Sequence, residues 1–583
     1  MLLRELARYA GRLQESGDLP PQMYQPTRIR WLIELTADGG PLGFVSTVPD
    51  NAKGPEKRGA SFLAPHIDRT SAIKAKLLAD RADYVLGLHD EEQADAAVPV
   101  RLAACHAAFV ERVADCASST GEPCVAAVLR FLHECGPSSL ALPHDITPAD
   151  GVTFRVGGVL PIDLPSVRHY WANETQPGGE PQAERVCIVC GESRLPAERH
   201  PVPIKGIPGG QSSGMQVVSA NEAAFESYGL SASLVAPVCY PCAERYAQAA
   251  NALLRDPQSR LIVGPLAYLF WTREQKPLSI VSLLSQPTAG DVKALLTSPY
   301  HGAANQPVDA DAFFVAALAS SGGRVAVREW SSTTVGDVRL SLGRYFRLQA
   351  LVDAWGEEAA PLGIFALAAS LVRESRDISP QAVAALLGCA LYGRPLPQRL
   401  LHQAVQRVRA GSGGPQDTQH LTRPLVTLIK MVLCSGLNEK EGERMRELDL
   451  ERDDPGYLCG RLLATLERVQ TSAVHAKATI VDRFYGSASS APLSVFPRLI
   501  RGSQSHLAKL RKERPSAYYA LQSQLEETLS RLQAFPSVLT LAEQGSFALG
   551  YYHQRANDRR HAAEHAIEQR GHIDEPTAAT AEA

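Results

Sequence analysis

The stretch AFFVAALASSGGRVAVREW, Ala312 to Trp330, decides the fold class. Two runs rich in Val, Phe and Ala, Ala312–Leu318 and Arg324–Trp330, flank Ser320-Ser321-Gly322-Gly323. Short apolar runs broken by a Gly/Ser turn read as two strands. Downstream of Ser341 the strand pattern stops. Ala/Leu/Arg/Gln-rich segments with a 3.6-residue period replace it, among them YLCGRLLATLERV (Tyr457–Val469) and YYALQSQLEETLSRLQA (Tyr518–Ala534), which read as bundle helices. Upstream, strands and helices mix. MLLRELARYAGRLQES is an amphipathic helix with Leu2, Leu6, Tyr9 and Leu13 on one face. RIRWLIEL (Arg28–Leu35) alternates as a strand, an Asp38-Gly39-Gly40 turn follows, and a second strand lies near Phe44–Val48. Residues 51–81 read as a basic loop giving way to a helix, and 101–135 as helical. Phe154–Leu164 reads as strand and turn, and Leu261–Trp271 as a further strand.

Four cysteines punctuate the mixed region as Cys187-x2-Cys190 and Cys239-x2-Cys242, with 48 residues between the pairs. Two such knuckles supply the four thiolates that tetrahedral Zn2+ takes in structural sites. Four thiolates leave no open coordination position, so the metal is expected to be structural, clamping the ends of an insertion. Four buried thiols are the plain alternative, and His200 between the pairs reads as a surface residue. The remaining cysteines, Cys105, Cys116, Cys124, Cys135, Cys389, Cys434 and Cys459, sit mostly in apolar helical patterns, where free cysteine acts as a small hydrophobe. The expected fold is therefore α+β: a mixed N-terminal α/β region with a zinc-knuckle insertion, followed by an all-α C-terminal helical bundle. The expected divisions are 1–340 (with 187–242 the clamped insertion), 341–444 as a helical linker domain and 445–583 as a helical bundle. Gly411 to Pro415 links helices, and the tail from Gly571 is expected to be disordered.

With 583 residues, 45% hydrophobic and 21% charged, the chain has ample material for globular cores. A net charge of −3 advertises no general affinity for nucleic acid, so any such role rests on local patches. The N-terminal apolar positions are interrupted by Arg4, Glu5 and Arg8, unlike a signal peptide. The apolar run Leu261–Trp271 is too short to span a bilayer. A soluble, reducing, cytoplasmic setting with no membrane partner is the expectation, and there CxxC pairs favour metal over disulfide.

Between the knuckles runs KGIPGGQSSGMQVVSANEAAFESYG (Lys205–Gly229). Gly206, Gly209, Gly210 and Gly214 let the backbone approach another surface closely. Gln211, Ser212, Ser213 and Asn221 carry donors and acceptors able to read base edges, with Lys205 as support. An ordinary surface loop is the alternative. The GxxxxGK[ST] phosphate loop is absent. Two basic stretches suit phosphate contact: Lys53, Lys57, Arg58, Arg69, Lys74, Lys76 and Arg81 among few acids, and Arg498, Arg501, Lys509, Arg511, Lys512 and Arg514 against Glu513 alone. A solvated helix face explains such density equally well. Tyr518 and Tyr519 follow at a spacing that more often means core. No catalytic set emerges. HExxH and GxSxG are missing, and His89-Asp90 and His144-Asp145 lack companion metal ligands.

Five stretches together resemble the large subunit of type I-C CRISPR surveillance complexes (Cascade). They are RTSAIKAKLLADRADYVLGL (Arg69–Leu88), PIKGIPGGQSSGMQVVSANEAAFESYG (Pro203–Gly229), FFVAALASSGGRVAVREW (Phe313–Trp330), DDPGYLCGRLLATLERVQ (Asp453–Gln470) and FALGYYHQR (Phe547–Arg555). Many members of that family lack the full pair of CxxC knuckles, so zinc here would be an embellishment. The resemblance implies a non-catalytic subunit that reads the protospacer-adjacent motif (PAM) in double-stranded DNA, helps open the duplex, stabilises the R-loop and recruits the helicase–nuclease. Implied partners are the CRISPR RNA, target DNA, the backbone subunits, the subunit at the guide 5′ handle and a small subunit. In such complexes base pairing reads the rest of the sequence. The resemblance also implies that the small subunit is made from an internal start. Met445, one of five methionines, stands just before DDPGYLCGRLLATLERVQ, and Lys440-Glu441-Gly442 can be encoded by a purine-rich, ribosome-binding sequence. A metal-dependent nuclease and a scaffold without DNA contact are the alternative functions.

Overall fold

The computed structural model describes residues 2–50, 53–67, 73–88, 97–135, 139–174, 184–220, 222–274, 280–297, 310–411, 421–437, 442, 445–474 and 478–573. The fold is α+β, with small sheets among helices up to Thr334 and helices thereafter. The chain forms two compact units. Met1–Arg255 joins Ala319–Arg328 in the first, and Asp256–Leu318 joins Glu329–Ala583 in the second.

In the first unit, helix α1 (Leu2–Glu15) buries Leu2, Leu3, Leu6, Ala10 and Leu13, while Tyr9 stays half exposed. The expected single strand at 28–35 is two. Strand β1 (Tyr24–Ile29) ends and β2 (Trp31–Leu35) begins on either side of Arg30. The reason is local: the Arg30 backbone N–H donates to Gly151 O at 2.8 Å, and its guanidinium pairs with Asp145 and with Asp150 (3.0 Å). After this step β2 pairs antiparallel with β3 (Pro41–Ser46), and β1 turns to β4 (Ala60–Pro65). Strand β4 corrects the expected loop at 51–81. Its sequence ASFLAP buries fully only Ala64 and Pro65, so it carries no strong period-two signal. Short strand β5 (Ala79–Arg81) and helix α2 (Ala82–Val85) follow. Helices α3 (Ala97–Thr120) and α4 (Pro123–Arg130) then lead to β6 (Gly151–Val156), which lies parallel to β2 and gives the sheet order β3-β2-β6-β5. Phe109 of α3 stacks on Phe154 of β6, and Phe131 just past α4 meets the same ring edge-on, in a fully buried core. Helix α5 (Pro165–Glu174) adds Trp171 to that core.

Beyond α5 come β7 (Arg185–Val186) and β8 (Ser193–Arg194), then α6 (Tyr240–Arg255), which packs on α1. Strands β9 (Arg260–Val263), β10 (Leu266–Thr272), β11 (Ala312–Ser321) and β12 (Arg324–Thr334) form a sheet of order β12-β11-β10-β9, which belongs to the second unit except for the β11–β12 tip, Ala319–Arg328. The expected strand at 261–271 is thus a hairpin. Helices α7 (Ile280–Ser285), α8 (Ala289–Thr297), α9 (Val335–Gln349), α10 (Ile364–Ala369), α11 (Pro380–Tyr392), α12 (Gln398–Gly411) and α13 (Arg423–Cys434) build outward from it.

The helical part continues with α14 (Pro455–Ala473), α15 (Ile480–Ala488), α16 (Pro492–Glu513), α17 (Pro515–Arg531) and α18 (Leu541–Ile573). DDPG starts α14 as its chemistry dictates. Asp454 accepts the N–H of Gly456 at 2.9 Å and of Tyr457 at 3.3 Å, and Pro455 fills a position with no donor to satisfy. Helices α14 and α18 touch backbone to backbone: a Cβ on Gly460 would lie 2.1 Å from Phe547 O, and one on Gly550 2.1 Å from Tyr457 O. Buried Arg461 of α14 ties the bundle polar-to-polar, donating to Glu527 Oε2 at 2.6 Å and Gln554 Oε1 at 3.1 Å. One continuous apolar core runs from Leu261 through α11 and α13 to Tyr552 of α18. Met445 packs against this core, with the Cys434 sulfur 3.2 Å from its own. The linker beyond Gly411 and the tail beyond Ile573 lie outside the described residues. No helix among the described residues is long and apolar enough to cross a membrane.

Candidate metal centre and nucleic-acid interface

Helix α6 mounts both parts of the insertion. Cys242 sits in its first turn, and Asn251 lies farther along it. The knuckle residues converge: the sulfurs of Cys187, Cys190, Cys239 and Cys242 all lie within 4.8 Å of one another. The Cys190 and Cys239 sulfurs are 3.8 Å apart, the separation of roughly 3.8 Å that four sulfurs about 2.3 Å from one ion would have. Backbone N–H groups of Val189 (3.4 Å) and Cys239 (3.3 Å) point at the Cys187 sulfur, as outer-shell donors do around a thiolate ligand. S–H groups of Cys239 and Cys242 donate to Cys187 as well. They hold its ionisation far below the usual thiol range, and the same bonds push Cys239 and Cys242 upward. Arg4 of α1 clasps the first knuckle by donating to Val189 O at 3.0 Å.

His200 is not the surface residue its sequence position suggests. It is buried, Nδ1 bonds the Tyr246 hydroxyl, and burial pushes its pKa down to about 4 against an opposing pull from Cys187. The four sulfurs form a complete metal-ligand set without it.

The glycine-rich loop is a closed device. Ile204 and Met215 exchange both backbone hydrogen bonds, at 2.8 and 2.9 Å, and shut residues 205–214 into a ring. Inside it, Gly210 N–H donates to Ile207 O at 3.0 Å across Pro208-Gly209, with Gly209 at φ 69°, the signature of a type II turn. A second turn closes from Gly214 N–H to Gln211 O at 3.0 Å. Ile204, Ile207 and Met215 are buried beneath, while Gln211, Ser212 and Ser213 are exposed above. Exposed Lys205 is pinned through its backbone, which donates to Asn251 Oδ1 at 2.8 Å, and Asn251 in turn donates to Pro203 O at 2.9 Å. Asn221 lies outside the described residues.

Sequence reasoning missed the loop's buttress. The β11–β12 tip belongs to the same unit. Gly323 faces the Gln211 side chain: a Cβ on it would lie 3.2 Å from Gln211 Nε2. Val325 N–H donates to Gln216 O at 2.9 Å. Arg324 donates to Ser219 O at 3.2 Å and lays its guanidinium 3.6 Å above the Phe225 ring. These contacts join residues about a hundred positions apart, which no spacing rule links; only the turn signal Ser320-Ser321-Gly322-Gly323 of the tip itself was there to read.

Of the basic stretches, Lys53, Lys57 and Arg58 are exposed around a tight turn at Gly54–Arg58. Lys74 and Lys76 are half-buried, Arg81 pairs with Asp83 at 2.6 Å, and Arg69 lies outside the described residues. Arg498, Arg501, Lys509, Arg511, Lys512 and Arg514 are all exposed, the first five on α16 and Arg514 at its end. The helical period puts Arg498, Arg501, Lys509 and Lys512 on one face, with Arg511 on its flank. The Arg498 guanidinium stands 5.7 Å from the Phe484 ring, and Lys509 pairs with Glu513 at 3.9 Å. Tyr518 packs on the core, but Tyr519 is 68% exposed, contrary to its core-like spacing.

A family model described as CRISPR-associated protein (Cas_Csd1) matches residues 6–558, nearly the whole chain. No curated protein matches it.

Proposed function

This chain belongs to the CRISPR-associated Csd1 family, the large subunits of type I-C surveillance complexes, and from that premise we propose that its stapled loop reads the PAM. The observation that carries the reading is the presentation of Gln211, Ser212 and Ser213. These polar side chains stand exposed on the second of two consecutive turns, in a loop closed by Ile204–Met215, floored by buried Ile207 and buttressed by the β11–β12 tip. A loop fixed this way has little freedom to lose on binding, which is how a site achieves recognition with few contacts. Gln211 carries an amide able to donate and accept at a base edge, and Lys205 adds charge beside it.

The thiolate set holds Zn2+ in this reading. The ion supplies folding free energy and no reactive position. Cys187, Cys190, Cys239 and Cys242 would fix the start of α6, and α6 fixes the loop through Asn251. Lys53, Lys57, Arg58, Arg69, Lys74 and Lys76 contact phosphates without sequence preference, and the α16 face carries the backbone of the displaced strand or heteroduplex. The subunit is non-catalytic. It helps open the duplex, stabilises the R-loop, and works with the CRISPR RNA, the backbone, 5′-handle and small subunits and the helicase–nuclease.

The test is a binding comparison on the assembled complex. Gln211→Ala is expected to weaken binding of PAM-bearing duplex by about 1–3 kcal/mol, the usual cost of removing a side chain that bonds a base edge, and to leave a pre-melted target nearly unaffected. Unchanged binding of the PAM-bearing duplex would refute the assignment. DNA cleavage by the purified subunit with Mg2+ or Mn2+ would favour the nuclease alternative instead.

A further inference from the structure

Ser227 and Leu230 pair across Tyr228-Gly229, Leu230 N–H donating to Ser227 O at 2.9 Å. Tyr228 has φ 55° and Gly229 φ 67°. Positive φ at both central residues makes a type I′ turn, whose first position favours Asn, Asp or Gly. A bulky tyrosine is held there in a backbone region it resists. Nor does the side chain repay this by packing, since Tyr228 is 98% exposed. Folding is therefore served worse by tyrosine than by asparagine, and the ring is placed for something outside the chain.

What surrounds it points to the ligand. Phe225, three residues earlier, is 45% exposed and carries the Arg324 guanidinium 3.6 Å over its ring. Arg324 follows Gly323, against which the Gln211 side chain lies. A run of contacts therefore connects the exposed amide of the loop to Arg324 and the Phe225 ring, and Tyr228 follows three residues along the chain, all within the first unit. Exposed aromatic rings near an arginine are how proteins hold unpaired bases, because every base presents a π-face and the cation adds to the stack.

We propose that Tyr228 stacks on a DNA base unpaired next to the motif that Gln211 contacts. The inference rests on the PAM reading above and assigns this turn the role of holding the first opened base. A stack on a rigid turn keeps the base from re-pairing without naming its sequence.

The assembled complex is compared as native, Tyr228→Asn and Tyr228→Trp on duplexes with and without the PAM, with 2-aminopurine at the base flanking the motif. Tyr228→Asn preserves the turn, so the subunit's melting temperature is expected to hold or rise. The same variant should lose roughly tenfold in affinity for PAM-bearing duplex and lose the 2-aminopurine fluorescence change. Tyr228→Trp should retain both. Native-like affinity and fluorescence in Tyr228→Asn would overturn the proposal while leaving the PAM reading intact, provided the native complex discriminates the two duplexes. If the native complex does not discriminate, the PAM reading falls and this inference with it. Loss of helicase–nuclease recruitment alone, with native DNA binding, would mark Tyr228 as a protein-docking residue and also overturn it.

Discussion

At the residue scale, the convergence of the four cysteines was legible and their neighbour His200 was not. Two x2 spacings gave the four cysteines because a knuckle is a local motif. His200 was misplaced because its burial depends on Tyr246, brought in by α6 from the far side of the insertion. Replacing Cys239 with Ser should drop the zinc content of purified protein from near one equivalent toward zero and lower the first unit's melting temperature; zinc near zero in native protein prepared without chelator would remove the metal altogether. A second prediction concerns His553. It is buried against Tyr457, whose hydroxyl accepts the Asp449 N–H at 3.1 Å and lies 3.0 Å from His553 Nδ1. Burial, then the charges of Lys430 and Arg452, push its pKa down to about 3. The folded chain thus binds this proton later than the unfolded chain, whose histidine titrates near 6.5. The group costs nothing above that pH and destabilises increasingly as pH falls from about 6.5 toward 3. Denaturant titrations should show native protein losing more stability over that window than His553→Leu, and parallel curves for the two would contradict the assignment.

At the element scale, sequence pattern located α1, the α3–α4 region, α14, α17 and the β11–β12 hairpin, because those segments satisfy themselves locally. It failed where one strand serves two sheets. The break at Arg30 is made by Asp145, Asp150 and Gly151, far along the chain, and β4 is a strand only because β1 needs an antiparallel mate. The α14–α18 contact was equally hidden. Gly456 and Gly460 would weaken an isolated helix, yet they are what lets α18 approach. For the basic elements, removing one phosphate-binding charge should reduce the salt slope of DNA binding by about one. A Lys53→Ala/Lys57→Ala/Arg58→Ala variant of the complex is therefore expected to lose up to roughly three units of slope with PAM preference unchanged. Equal slopes would make that turn a merely solvated surface.

At the scale of the whole molecule, the family was legible from five separated stretches, and the α+β class from the change of pattern near Ser341. The proposed division at 445 raises a question of its own. The face of α18 near Gly545 lies against Leu401, Ile429 and Leu433, so a product starting at Met445 would expose that face. Such a product is expected to bind elsewhere in the assembly rather than remain free. Expressing the complete operon and weighing the purified complex should reveal a species beginning at or near Met445, and its absence would defeat the internal start. The β11–β12 tip has a consequence for synthesis as well. Residues 319–328 complete a unit whose other residues are made before 256. On the ribosome, the Gln211 loop must wait for some sixty residues of a different unit to emerge before Gly323 and Val325 reach it, so the nascent insertion passes through an interval in which its thiols are already translated and its buttress is not.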